Sequence, residues 1–244
     1  MIRTALAAIY LVLVIVFFGP LLVLYGLCGG SMDTFYRVGV YWSLLWMRPI
    51  GIRTRIEGLE NIPAGPCVFA ANHTSNVDPP VILKAIPRRI GVLIKKSVFS
   101  VPIMGKAFRM AHFIPVERES RASAMNSIRE AAGYLKQGLS FLIFPEGTRS
   151  RDGRLLPFKR AGFVLAIEAG VPVVPIACAG ARRILPKGSL RIRAGEIVVR
   201  FCPPIDAAAF RMEQRGELAA QVHAAIAAAL PPDQQPAASA EVAP

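Results

Sequence analysis

Acids are scarce in this chain, histidines scarcer, and cysteines are never paired. Against 29 lysines and arginines stand 16 aspartates and glutamates, with 3 histidines in 244 residues. The net charge is +13 and the isoelectric point near 10.3, so the surface favours anions: phospholipid headgroups, phosphorylated substrates or nucleic acid. No basic repeat, zinc-finger spacing or RNA-binding signature is present, and nucleic acid is not expected as a partner. Cys28, Cys67, Cys178 and Cys202 lie far apart and form no Cys-x-x-Cys, which excludes the usual zinc and dithiol frameworks. Reduced, buried thiols facing the cytoplasm are the simplest account of them. No internal repeat is evident. The length allows one substantial domain with an appendage.

Apolar residues, by contrast, are abundant. They make up 53% of the chain, and mean hydropathy is +0.44. Much of the excess sits in Ala5 to Gly30, a run without a charge. A bilayer core of about 30 Å needs about 20 helical residues, so this run can span it. Gly19-Pro20 would kink such a helix, or turn it into a re-entrant hairpin. The run is too long for a cleaved signal peptide and lacks a clear small-x-small cleavage site, so an uncleaved anchor is expected. Met32 to Ile50 follows, carrying Phe35, Tyr36, Tyr41, Trp42 and Trp46, the two tryptophans four apart, with Arg37 and Arg48. These residues suit a helix lying on a membrane, the alternative being an amphipathic core helix.

From Gly51 short apolar runs alternate with helical stretches. Strands are expected at 53–57, 67–71, 91–95, 113–116, 140–144, 171–177, 191–193 and 197–201. Helices are expected at 79–85, 102–110, 121–137, 160–169 and 207–230. This alternation predicts an α/β fold with a mostly parallel central sheet flanked by helices. Ligands in such sheets bind beyond the carboxyl ends of strands. Residues 1–50 then form a membrane anchor and interfacial helix, 51–230 the α/β domain, and 231–244 a disordered Pro/Ala/Gln-rich tail.

Two polar stretches follow strand ends. The first is Asn72-His73-Thr74-Ser75-Asn76-Val77-Asp78. Imidazole titrates near neutrality and suits a group that takes and returns a proton. A carboxylate on the other ring nitrogen would fix its tautomer. Fully extended, the step from His73 to Asp78 spans roughly 17 Å, so the pair meets only if the chain turns. Alternatively Asp78 is the N-cap of a helix begun by Pro79, and His73 an ordinary loop residue. The second stretch is Phe144-Pro145-Glu146-Gly147-Thr148-Arg149-Ser150. Gly147 permits close approach, and Arg149 offers a planar fork for phosphate oxygens. Glu146 would bond a substrate hydroxyl or orient Arg149, or merely cap the next segment. Lys95 and Arg118 put further cations where strands leave the sheet.

Together these stretches resemble the glycerolipid acyltransferase superfamily, above all its 1-acyl-sn-glycerol-3-phosphate acyltransferase branch. The first motif there reads N-H-x-S-x-x-D and the third F-P-E-G-T-R-S. Phe113 to Arg118 is similar to the second motif, though it ends Glu117-Arg118 where the family usually has aspartate-arginine. Val171-Pro172-Val173-Val174-Pro175 is similar to the fourth. The family's F-K-x-G-A stands here as Phe158-Lys159-Arg160-Ala161-Gly162.

The resemblance covers about residues 51–205. It implies that His73, held by Asp78, takes the proton from a lysophospholipid hydroxyl, which attacks an acyl thioester of coenzyme A or acyl carrier protein. Backbone amides near the third motif, and Lys95, are candidate oxyanion donors. Arg118, Glu146, Gly147, Thr148 and Arg149 would hold phosphate and glycerol, with Lys159 beside them. No enzyme nucleophile is required, consistent with the lack of a Gly-x-Ser-x-Gly elbow. Neither a metal nor a resident cofactor is implied. The expected setting is the inner (cytoplasmic) membrane with the catalytic domain on its cytoplasmic face. Three alternatives stay open: an acyltransferase for another lysolipid such as lyso-ornithine lipid, a hydrolase using His73 and Asp78 as metal ligands, and a non-catalytic lipid binder.

Overall fold

A computed structural model describes residues 2–117 and 120–237. Arg118 and residues 238–244 of the tail lie outside the described residues.

The chain opens with helix from Ile2 to Leu27, in three continuous parts: α1 (Ile2–Leu13), a π-helical turn (Val14–Phe18) and α2 (Gly19–Leu27). Pro20 lacks an N–H and crowds the preceding turn, and the wider π turn just before it accommodates both effects. No hairpin forms at Gly19-Pro20; the chain reverses after Leu27, at the end of the run, where Gly29 has φ +84°. α3 (Met32–Leu44) then packs back on α2. A Cβ on Gly26 would meet Phe35, one on Gly39 would meet Leu22, and the rings of Phe18 and Trp42 lie 4.8 Å apart. These pairings run in opposite directions and define a helical hairpin.

The expected interfacial helix needs correction on two points. It ends at Leu44, so Trp46 lies in the following turns and shares no helix face with Trp42. Phe35 and Tyr36 are buried, and Tyr36 packs edge-on against Phe113. This part of the aromatic face covers the domain.

Seven strands form one sheet: β1 (Ile52–Glu57), β2 (Val68–Ala71), β3 (Gly91–Lys95), β4 (Ile114–Val116), β5 (Phe141–Ile143), β6 (Val173–Ala179) and β7 (Gly195–Phe201). Their spatial order is β1-β7-β6-β2-β5-β3-β4. All neighbours are parallel except β6 and β7. β2 is central, between β5 and β6. It is buried on both faces, which is why Val68-Phe69-Ala70-Ala71 reads as an unbroken apolar run. Phe69 and Ala71 face a layer containing α3 and α4 (Asp78–Ala85), while Val68 and Ala70 face the opposite layer. That opposite layer holds α6 (Arg121–Lys136), α7 (Ala161–Ala169) and α9 (Arg215–Ala229). α5 (Pro102–Met110) packs on α2.

Three expectations shift. Arg191-Ile192-Arg193 is not a strand, because pairing of β1 with β7 begins only at Ile52 and Gly195. Residues 207–230 are not one helix: two 3-10 turns precede α9, the first capped by the Asp206 carboxylate accepting from Ala208 N. The first part of the tail is packed, through Asp233, Gln234 and Gln235. Leu155 N donates to Gln234 O at 2.9 Å, and Arg183 pairs with Asp233 at 2.7 Å.

Gly91 opens β3 where a Cβ would fall 2.4 Å from Phe141 Cε1 and 2.9 Å from His112 O. Gly91→Ala is expected to destabilise the fold by about 1–3 kcal/mol through overpacking. Thermal unfolding in detergent checks this, and an unchanged midpoint would contradict it.

Candidate active site

The site grows from the end of β2. Asn72, 1% exposed, continues the sheet with its side chain: Nδ2 donates to Cys178 O at 3.0 Å, and Cys178 N donates to Oδ1 at 2.7 Å. Beyond it the chain wraps around one carboxylate. Asp78 Oδ2 accepts from Thr74 N at 2.6 Å and Ser75 N at 2.7 Å, and lies 2.9 Å from His73 Nδ1. The turn thus closes the five-residue step. Asp78 is not the N-cap; that position is Val77, and the carboxylate reaches backward instead.

An oxygen already receiving two amide protons acts as acceptor, so Nδ1 donates the third bond, and in the neutral ring the lone pair is then on Nε2. The His73 ring stacks on Phe144 at 4.3 Å, and its side chain is 13% exposed. Nε2 has no protein partner among the described residues. The arrangement can take a proton from a molecule approaching Nε2 and hold the resulting imidazolium against Asp78.

The loop after β5, the strand beside β2, meets this histidine through its backbone. Glu146 Oε1 accepts from His73 N at 2.6 Å, Oε2 accepts from Leu156 N at 3.3 Å, and Ser150 N donates to His73 O at 2.8 Å.

A family model described as Acyltransferase matches residues 53–179. The chain belongs to the acyltransferase family. It is 32% identical over 194 residues to a 1-acyl-sn-glycerol-3-phosphate acyltransferase of Limnanthes douglasii, covering 79% of this chain and 68% of that one. It is 37% identical over 167 residues to a chloroplastic protein of the same activity from Brassica napus, where it spans about half the relative (67% of this chain, 48% of that one). The crystal structure of the 1-acyl-sn-glycerophosphate acyltransferase PlsC from Thermotoga maritima superposes with a TM-score of 0.79 at 27% identity, covering 92% of each chain.

In this acyltransferase Glu146, expected as a ligand contact, has main-chain partners of its own. It is 3% exposed, and both oxygens are taken up by main-chain amides, so it fastens the two loops together. Burial pushes its carboxyl up to about 8, with the Asp78 and Asp152 charges adding to the rise against the lowering by the two amides.

Gly147 has φ +70°, and a Cβ there would lie 2.9 Å from Lys159 Cε. The bare backbone therefore lets Lys159 lie across the loop, anchored by Lys159 N donating to Pro145 O at 2.8 Å. Thr148 Oγ1 accepts from Lys187 Nζ at 3.0 Å, and the same ammonium donates to Arg149 O at 2.7 Å. The Arg149 guanidinium, half-buried, and the exposed Lys159 ammonium have no acidic partner among the described residues. Lys95, exposed at the end of β3, is likewise unpaired among them.

The sequence reading passed over Lys187, Phe144 and Ser75, whose hydroxyl donates to Leu185 O at 2.8 Å. Lys187 carries no local signal, lying 39 residues from Thr148. Phe144 stood in the third motif, but only as the end of a buried strand. A separate cavity of about 300 Å³, lined by Leu44, Met47, Arg48, Ile52, Arg53, Thr54 and Lys84, includes none of these residues.

Replacing Glu146 tests its fastening role. Native Glu146 binds its proton more tightly than the unfolded chain, where the ordinary value is 4.5. Its protonation therefore contributes stability that is complete below about pH 4.5 and lost as pH rises through about 8. Glu146→Gln should abolish this slope. It should also destabilise by about 1–3 kcal/mol, since its amide nitrogen cannot accept from a main-chain N–H. Unfolding measured across this pH range in both proteins checks slope and offset.

Proposed function

We propose that this acyltransferase transfers a fatty acyl group from an acyl thioester to the free hydroxyl of 1-acyl-glycerol-3-phosphate, giving phosphatidate at a membrane. The observation that carries the reading is the His73–Asp78 bond with Nε2 left open, the His73 backbone being fastened to the Glu146–Ser150 loop through the Glu146 carboxylate and Ser150 N. The names of the relatives supply the acceptor.

Nε2 removes the acceptor's hydroxyl proton as its oxygen attacks the thioester carbonyl, and Asp78 stabilises the imidazolium. The C–O bond forms, a tetrahedral oxyanion appears, and it collapses by breaking the C–S bond. The departing thiolate, of coenzyme A or acyl carrier protein, takes the proton back from His73. Arg149 and Lys159 bind the acceptor's phosphate, and Lys95 or a main-chain amide meets the oxyanion. No metal or resident cofactor enters. His73 and Asp78 bond each other directly, and no group of three or more His, Cys, Asp or Glu converges among the described residues, which speaks against the metal-ligand alternative.

The helix Ile2–Leu27 supports a membrane setting. An 18-residue stretch within its 26 residues has mean hydropathy 2.8 with 11% buried, and the whole helix measures about 39 Å. Leu6, Ile9, Phe17 and Leu21 are exposed on it. We place it in the inner membrane with the α/β domain on the cytoplasmic face, where buried Cys67, Cys178 and Cys202 stay reduced.

His73→Ala is expected to lower turnover at least about a hundredfold with folding intact. Asp78→Asn should lower turnover and also destabilise by about 1–3 kcal/mol, because an amide nitrogen there would confront buried donors. A panel of lysolipid acceptors with purified protein tests the substrate. Activity on a lyso-ornithine lipid but not on lysophosphatidate would move the assignment to that acceptor, and unchanged turnover in His73→Ala would refute the base.

A further inference from the structure

The loop of residues 185–194 lies between α8 (Ala181–Ile184) and β7. Leu190 at its tip is 85% exposed, the highest value for a large apolar side chain among the described residues. A single exposed leucine is ordinary; its surroundings are not. Arg191 and Arg193 follow it, both exposed, and neither guanidinium has an acid or hydrogen-bond acceptor among the described residues.

The loop is also fastened on three sides. At its base Ser75 Oγ donates to Leu185 O at 2.8 Å, beside His73. Lys187 Nζ donates to Thr148 Oγ1 and Arg149 O at 3.0 and 2.7 Å. Near its end Ile192 N donates to Thr4 Oγ1 at 3.0 Å, at the start of the long apolar helix. An apolar tip, two unpaired arginines and the root of that helix therefore share one edge of the molecule. This combination fits a lipid surface: the leucine enters the acyl boundary and the arginines meet headgroup phosphates.

We propose that residues 185–194 are a bilayer-seated element for anionic lipid, inserting Leu190 and pairing Arg191 and Arg193 with phosphates. Through Ser75 and Lys187 it braces both catalytic loops against the membrane. The inference rests on the membrane reading given above and names the surface of the α/β domain that meets the lipid.

The test uses the full chain carrying Cys28→Ser and Leu190→Cys, labelled at residue 190 with an NBD fluorophore; the other three cysteines are buried. Turnover on lysophosphatidate is first measured in detergent, where its absence would count against the proposed function and not against the loop. The protein then goes into vesicles of phosphatidylcholine with phosphatidylglycerol. The expected result is a blue-shifted emission quenched at least about twofold by doxyl-labelled lipid. Quenching should be weaker by about twofold or more when Arg191 and Arg193 are both alanine. Emission that stays aqueous in these vesicles overturns the proposal. So does a probe insensitive to lipid but shielded by added acyl carrier protein, which would make the loop a protein-docking surface.

Discussion

One buried carboxylate organises the candidate site. Asp78 is fully shielded from water, and an isolated charge there would be untenable. It is tolerated because Oδ2 collects two main-chain amides and the His73 ring, and because it lies in the first turn of α4, where the helix dipole favours an anion. Oδ1 lies 3.7 Å from Cys178 Sγ, and burial together with the Asp78 charge raises that thiol well above its ordinary range. Cys178 thus stays an S–H facing the carboxylate. The ring orientation of His73 follows from satisfying this one group, with Phe144 closing one face.

Sheet topology decides what reaches that site. β2, β5 and β6 are adjacent and parallel, so the loops that follow them open on the same side. This is the carboxyl-end location at which open α/β sheets place ligands. The loop after β2 brings His73, the loop after β5 brings Glu146 to Ser150, and the segment after β6 brings Lys187. Main-chain bonds tie the first two, and a lysine ties the third, so the site is one connected unit.

Much of this was legible in the sequence, and the exceptions are instructive. The α/β alternation was visible because apolar runs and turn residues report local backbone preference. The two polar motifs were visible because each is contiguous. The bonds of Glu146 to the amides of His73 and Leu156 could not be read in advance, because main-chain amides carry no side-chain signature. Phe35 and Tyr36 suited a membrane surface by type, yet a protein face took them, since an aromatic ring is equally at home against either. Residues 191–193 had a strand's alternation but no neighbouring edge to pair with.

The order of segments, the long apolar helix and the seven-residue span holding an imidazole and a carboxylate belong to the amino-acid sequence by itself. They depend on composition and on spacings of a few residues. Only the tertiary structure decided that Asn72 meets Cys178 across 106 positions, and that Lys187 clasps Thr148. The physical reason is range. Periodicity and turn chemistry act between near neighbours, whereas a buried donor finds its acceptor only after the sheet has brought distant strand ends together.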